Sequence, residues 1–399
     1  MQLIQTTRCQ SGWRGMALFL LVVGGIVASH GEPAARPSWQ WSEISAAAGG
    51  GKGAAQLASG DILTTRMRRT AQGVQVVCAR SVDGGRHWQD EAVIASETGV
   101  DADLGDGHLL ALPTGEVLYS YRHNRLQTNA AGRRTYSIRV AVSRDAGQTW
   151  QPHSVVAQST HDPVREPEAL RGLWSSFLLR LRDGTLHCYY DDEDTPHRRG
   201  FFRHQWLTRK TWDAAAHRWR RPVTVSRAHD VRHLSRDGMP SVVELPSGRL
   251  LCVMESVQTA PPHANCLRAV TSDNGGRTWS WRRTERAIVY APQRENHLAV
   301  SPWLARLPDG RLLCVFTTDE ERDTPSRPGT PPRAFRMDVK CLFSDDNGQT
   351  WPGPPQTIFA EAHHNYAPGA LVLRDGSVLV TCMSFDRAGH RAFRGVSAP

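Results

Sequence analysis

Carboxylates, arginines and one tyrosine recur at corresponding points along this 399-residue chain, and they are the residues best suited to chemistry. Asp191, Asp192 and Glu193, then Glu255, then Asp319 and Glu320 each close a short apolar run. Lys52, Asp103, Asp106, Trp174, Ser175, Asp237 and Tyr366 each stand just before such a run, and Arg66 and Arg122 end two others. Carboxylates held together raise one another's pKa and cost stability, so a purely structural ring has no use for several at one point. Paired carboxylates are what cleavage of a glycosidic bond requires: one protonates the leaving oxygen while another attacks or activates the attacker. A single acid can equally cap a turn or neutralise one of the many arginines. No Cys or His spacing has the form of a metal site, and no cofactor motif is present.

The elements that must position these residues are repeated hairpins. An apolar strand, a turn ending in glycine and a second apolar strand occur six times, around Gly60, Gly115, Gly184, Gly248, Gly310 and Gly376. An eight-residue corner of the form Ser-x-Asp-x-Gly-x-x-Trp follows four of them, with Asn at the Asp position in the third: SVDGGRHW at Ser81, SRDAGQTW at Ser143, SDNGGRTW at Ser272 and SDDNGQTW at Ser344. The Asp accepts backbone N–H groups, the Gly permits positive φ and the Trp folds back into the core. Six similar antiparallel units at one period predict an all-β, six-bladed β-propeller of four-stranded blades with Asp-box turns. In a propeller the first strand of each blade lines the axis, so strand-one starts and strand-two ends meet on one face. Blade three has a degenerate corner, KTWDAAAHRW at Lys210–Trp219, in place of a box. Blade six shows only two strands before the sequence runs out, so closure is expected to recruit the N-terminal segment.

Three regions are expected: a signal segment at 1–30, a lead-in at 31–48 and the propeller at 49–399. Arg8 and Arg14 precede the apolar Met16–Ala28 and a small-residue exit, the pattern of a secretory signal and too short to span a bilayer comfortably. This predicts a secreted or periplasmic protein with no other membrane segment; an uncleaved anchor is the alternative. Trp39 and Trp41 of the lead-in are candidates for an edge strand. Beyond Cys9, seven cysteines remain, an odd number that argues against a full disulfide framework, with Cys252–Cys266 as one conceivable bridge. The formal charge of +9 comes from scattered arginines with no basic stripe, which favours a solvated basic surface over a nucleic-acid partner.

From about residue 45 onward the boxes and hairpins resemble the sialidase superfamily, the BNR or Asp-box propellers. That resemblance implies an Arg triad for a sialic carboxylate, an Asp acid/base and a Tyr nucleophile helped by a Glu. Glu255 in CVMES resembles that Glu, Arg268 the second Arg and Tyr366 the nucleophile's position. The sequence departs from the pattern in two places. The Arg-Ile-Pro opening of blade one is replaced by GGGKGAAQL, which offers Lys52, and Thr64–Arg80 carries no carboxylate. The chain is also similar to the exo-arabinanase group of the superfamily, which uses two glutamates. Glu255 would match one, whereas the expected Trp-Glu-Pro setting of the other reads Trp174-Ser175-Ser176, with Glu193 or Asp237 as substitutes.

The resulting expectation is a secreted, exo-acting, monomeric glycoside hydrolase acting on an oligosaccharide or glycoconjugate, with neither metal nor cofactor. Glu255, Glu193, Asp237 and Tyr366 are the candidate catalytic groups. Arg66, Arg122, Arg268, Asp103, Trp174 and Asp319 are the candidate substrate binders. A noncatalytic carbohydrate-binding propeller is the alternative, and a basic propeller recognising an anionic polymer is a third reading.

Overall fold

The computed structural model describes residues 38–48, 52–99, 101–258, 265–294, 296–326, 336–360, 365–384 and 389–397, and these form six antiparallel sheets arranged as a propeller. The expected signal segment and the start of the lead-in, 1–37, lie outside the described residues. All six sheets belong to the unit Trp39–Ala398.

Blade one contains Ala55–Gln56, Ile62–Thr70, Gly73–Ser81 and Gln89–Thr98, ordered from the axis outward. Blade two contains Ala102–Ala111, Val117–Arg125, Arg134–Ser143 and Gln151–His161. Blades four and five repeat that order, beginning with Ser235–Glu244 and Ala299–Arg306. The second strands are packed on both faces by neighbouring blades; every residue of Leu312–Thr318 is buried. Their unbroken apolar character follows from that position rather than from alternation. Cys188, Cys252 and Cys314 fill equivalent places there, and all seven described cysteines are buried and outside any disulfide, so no Cys252–Cys266 bridge forms.

Two blades differ from the simple repeat. Blade three carries five strands, because the corner that lacks a box turns into a small hairpin, Arg218–Trp219 pairing with the end of Trp206–Asp213. Blade six takes three strands from the C-terminal part, Asn365–Val372, Val378–Ser384 and Gly389–Ser397, one more than the sequence showed. Its outermost strand is Trp39–Ala48, paired antiparallel with Gly389–Ser397 from Trp39↔Ser397 to Ala48↔His390. The lead-in is therefore largely part of the propeller, and Trp39 packs in its main core.

The boxes work as their chemistry predicts. Gly147 N–H donates to Ser143 Oγ at 2.7 Å, Thr149 N–H to Asp145 Oδ1 at 2.8 Å and Trp150 Nε1 to the Gly147 carbonyl at 3.0 Å. Blade four repeats all three bonds with Asn274 at the Asp position. Gly147, at φ +96°, sits so close to Leu63 of blade one that a Cβ would lie 2.6 Å from its Cδ1. Each box therefore also cements its blade to the preceding one. Trp279 is fully buried whereas Trp351 is only partly so. Trp279→Ala is accordingly expected to cost about 3–5 kcal/mol and Trp351→Ala clearly less, read from urea unfolding midpoints.

Candidate functional site

Five of the six inner strands carry a bulge at the end that opens on the funnel. The register slips between Gly105 and His108, Leu173 and Ser176, Gly238 and Ser241, Val300 and Trp303, and Tyr366 and Gly369. Within four of these bulges a non-glycine residue is forced to positive φ: Asp106, Met239, Ser301 and Ala367. Bulges of this kind re-aim side chains and backbone donors, and left-handed strain of this sort collects at functional sites.

The bulges hold two carboxylates by the same device. The Met239 N–H of blade four donates to Asp191 of blade three at 3.1 Å, and the Ser301 N–H of blade five donates to Glu255 of blade four at 2.9 Å. A third carboxylate, Asp106, is itself a bulge residue. It receives Lys52 Nζ at 2.5 Å, Arg122 Nη1 at 2.5 Å and the Ser175 hydroxyl at 2.7 Å. Arg122 also binds Asp103 at 2.8 Å. Lys52 of blade one reaches across the axis to within 3.3 Å of Met239 Sδ in blade four. Lys52 is thus the cation that the opening of blade one contributes to this cluster.

These surroundings push the carboxyl groups apart. Burial alone would raise the Asp106 pKa, but Lys52 and then Arg122 overcome it and hold the group well below the usual carboxylate range. Glu255 is raised, chiefly by burial, against the pull of the Ser301 N–H and Lys52. Asp191 is pushed well above the ordinary aspartate value, again by burial first, with Glu255 and Asp106 adding to it. Asp106 and Glu255 both keep part of their surface in solvent, whereas Asp191 is buried. Tyr366 is raised by burial, then by Glu255 and Asp106, and so keeps its proton.

Below this cluster the axis is closed. His108 of blade two stacks on Phe177 of blade three at 4.3 Å and meets Trp303 of blade five edge-on at 5.1 Å. Blades two and five face each other across the ring, so this contact seals the channel and makes the funnel blind. Burial pushes the His108 pKa down to about 3, so the plug is neutral.

Of the residues expected from sequence, the structure brings together Glu255, Tyr366, Arg122 and Asp103. The others lie elsewhere. Glu193 is buried between Arg236 at 2.5 Å and the Gly172 N–H at 2.8 Å. Asp237 is entirely enclosed, with Arg286 at 2.5 Å and the hydroxyls of Ser226, Ser235 and Ser256 around it. Asp319 accepts the N–H groups of Leu298 and Ser326, a loop-ordering role. Arg66 turns outward to Asp90, and Arg268 binds the Arg286 carbonyl one strand beyond the site at 2.9 Å. Trp174 packs edge-on against Tyr136 at 6.1 Å. Asp106, Asp191, Lys52 and Ser175 were legible as funnel residues, but Met239 and Ser301 were not, because only the bulges bring their amides inward. Among the described residues no group of three or more His, Cys, Asp or Glu could hold a metal ion, and no helix is long and apolar enough to cross a membrane.

Solved structures of similar fold include an α-L-arabinanase from Penicillium chrysogenum complexed with arabinobiose, at TM-score 0.64 and 18% identity over 90% of this chain and 98% of that one. An α-L-arabinofuranosidase from Fusarium graminearum with an iminosugar inhibitor aligns at TM-score 0.61 and 17% identity, covering 89% and 98%. A sialidase from Streptococcus pneumoniae aligns at TM-score 0.55 and 10% identity, covering 86% and 68%. No curated protein sequence matches. The BNR repeat-like domain, in contrast, matches residues 64–380, most of the propeller, and the chain therefore belongs to the BNR repeat-like domain family.

Proposed function

We propose that the protein is a secreted, exo-acting glycoside hydrolase whose reaction centre is Asp106 and Glu255. The observation that carries this reading is the opposite displacement of two partly exposed carboxyl groups in one funnel: Asp106 held below the ordinary aspartate value by Lys52 and Arg122, Glu255 held above the ordinary glutamate value by burial. Environments that separate two carboxyl pKa values assign the roles of acid and base. Glu255 is the acid that protonates the leaving oxygen, and Asp106 is the carboxylate that attacks the sugar or activates water. Tyr366 donates a hydrogen bond to substrate, and Asp191, pushed well above the ordinary aspartate value by burial, backs the pair. The apolar segment Met16–Ala28 supports export.

The same charges favour a neutral sugar. Lys52, Arg122 and Arg236, the cations around the centre, are each closed on a carboxylate. Among the described residues around the centre, a sialic carboxylate would meet acids and cations already closed on carboxylates. A neutral furanoside such as arabinobiose, the ligand in the arabinanase structure, fits better. The test is a panel of arabinobiose and other neutral disaccharides against a sialoside. Release of a neutral terminal sugar with the sialoside untouched is expected. Sialoside cleavage would refute the substrate class, and silence across the panel with glycan binding retained would favour the noncatalytic alternative.

A further inference from the structure

On the face opposite the funnel, between blades three and four, lies a cleft of about 1030 Å³ lined by Arg209, Arg218, Arg220, Arg221 and Arg277 against Asp183 and Asp213. Both acids are already engaged, Asp183 with the Thr185 N–H at 2.8 Å and Asp213 with the Ala216 N–H at 3.1 Å and Arg220 at 3.3 Å. Several departures from the repeat converge on this cleft.

In blades one, two and five the box glycine rests on a leucine at the start of the preceding blade's second strand: Gly85 on Leu379, Gly147 on Leu63, Gly348 on Leu251. In blade four, Gly276 instead meets Arg209, with Nε 3.2 Å and Cδ 3.4 Å from a Cβ built there, and His187, whose Cε1 is 3.4 Å away. His187 follows Leu186 at the strand start just as Leu63 follows Ile62 and Leu251 follows Leu250. A polar pair thus occupies a position that the fold elsewhere makes apolar. Arg209 is only 5% exposed, its Nη1 bonds His187 Nε2 at 2.9 Å and Thr211, and it meets no carboxylate among the described residues. A buried guanidinium without an anion is costly unless a ligand supplies one. Burial lowers the pKa of Arg209 and brings that of His187 down to about 3, as expected for a cation pocket lacking its counter-charge.

Two further substitutions point the same way. The blade-four box carries neutral Asn274 where the other boxes carry Asp83, Asp145 and Asp346, and Asn274 lines the cleft. The blade-three corner that lost its box has become the hairpin that sets exposed Arg218 and Arg220, with Arg221 just beyond, over the opening, and neither Arg218 nor Arg221 has an ion pair among the described residues.

We propose that this cleft is a second binding site, separate from the funnel, for an acidic oligosaccharide whose sulfate or carboxylate groups pair with Arg209 and the hairpin arginines. Its volume suits a few sugar units and not one small ion. Its walls offer Trp219, Leu181 and Val223 to a sugar ring but no series of aromatic platforms for stacked bases.

The test is calorimetric titration with a size-defined heparin hexasaccharide, against inorganic sulfate and a single-stranded oligothymidylate of equal charge. The hexasaccharide is expected to bind more tightly than either control, and more weakly as salt rises. Arg218→Ser combined with Arg221→Ser, both on exposed side chains, is expected to weaken binding at least about tenfold. Asn274→Asp, which installs the residue the other boxes carry and so preserves the corner, is expected to weaken it several-fold. Hydrolysis in the funnel should be unchanged in both variants, and thermal melts should show both folded. Equal hexasaccharide affinity in folded variants and wild type would overturn the proposal. So would oligothymidylate binding as tight as that of the hexasaccharide, which would mark a nucleic-acid or unspecific basic surface, and so would sulfate binding alone, which would mark a single-ion pocket.

Discussion

Glu255→Gln is expected to slow hydrolysis of an unactivated disaccharide by about a thousandfold, the range that positioned acid catalysis supplies, while cleavage of a dinitrophenyl glycoside of the same sugar falls far less. The difference arises because a dinitrophenolate leaves without being protonated, so the missing proton matters only for a poor leaving group. Asp106→Asn should abolish both reactions, because it removes the group that acts on the sugar itself. Two equally deep losses in Glu255→Gln would make Glu255 the nucleophile and reverse the assignment. The pH profile checks the same roles independently. Asp106 must be ionised and is held below the ordinary aspartate value, so the acidic limb should lie low. Glu255 must be protonated and is raised, so the basic limb should lie above the ordinary glutamate value and should vanish in Glu255→Gln.

Arg286→Met is expected to destabilise the fold by about 3–5 kcal/mol at neutral pH, because it strands Asp237 as an unpaired buried charge. Both groups are almost wholly enclosed, and Arg286 Nη1 lies 2.5 Å from Asp237 Oδ1. In the native protein burial raises the Asp237 pKa, but Arg286 and the surrounding hydroxyls outweigh it and leave it lowered. The stabilisation is therefore present above the unfolded value and lost as pH falls through the folded one. In the variant burial dominates, the folded pKa moves up, and the deficit should shrink as the solution is acidified toward protonation of Asp237. Urea unfolding at neutral and at mildly acidic pH measures this. A variant as stable as wild type at neutral pH would mean that Asp237 is not held as a charged structural pair.

The two predictions separate what the sequence could reveal from what it could not. Boxes and glycine hairpins encode local turns, so the blade count, the strand order and the side on which the funnel opens were all legible in them. Which of several neighbouring acids faces inward was not, because facing depends on register, and a single bulge moves a residue to the other face. In the run Asp191-Asp192-Glu193 only the first joins the axial cluster; Asp192 binds Thr195 and Thr208, and Glu193 binds Arg236. In Asp237-Gly238-Met239 it is the methionine amide that reaches the site and the carboxylate that serves the core. Arg66 misled for the complementary reason. Blade one's inner strand is only Ala55–Gln56, paired with Ile62 and Leu63, so no bulged inner strand runs beside Arg66, which pairs with Asp90 instead.

Blade six is latched by two strands at opposite ends of the propeller sequence, Trp39–Ala48 and Gly389–Ser397. About 340 residues separate the two strands, so the first is made some tens of seconds before the second at roughly 5–20 residues per second. During that interval Trp39 and Trp41 stand on an unpaired edge, a template for mispairing with a neighbouring nascent chain. Lys52 emerges early and Tyr366 late, so the funnel is assembled only when the ring shuts. Formation of the axial cluster is thereby tied to ring closure, and a chain lacking Gly389–Ser397 would leave Trp39–Ala48 without its partner strand.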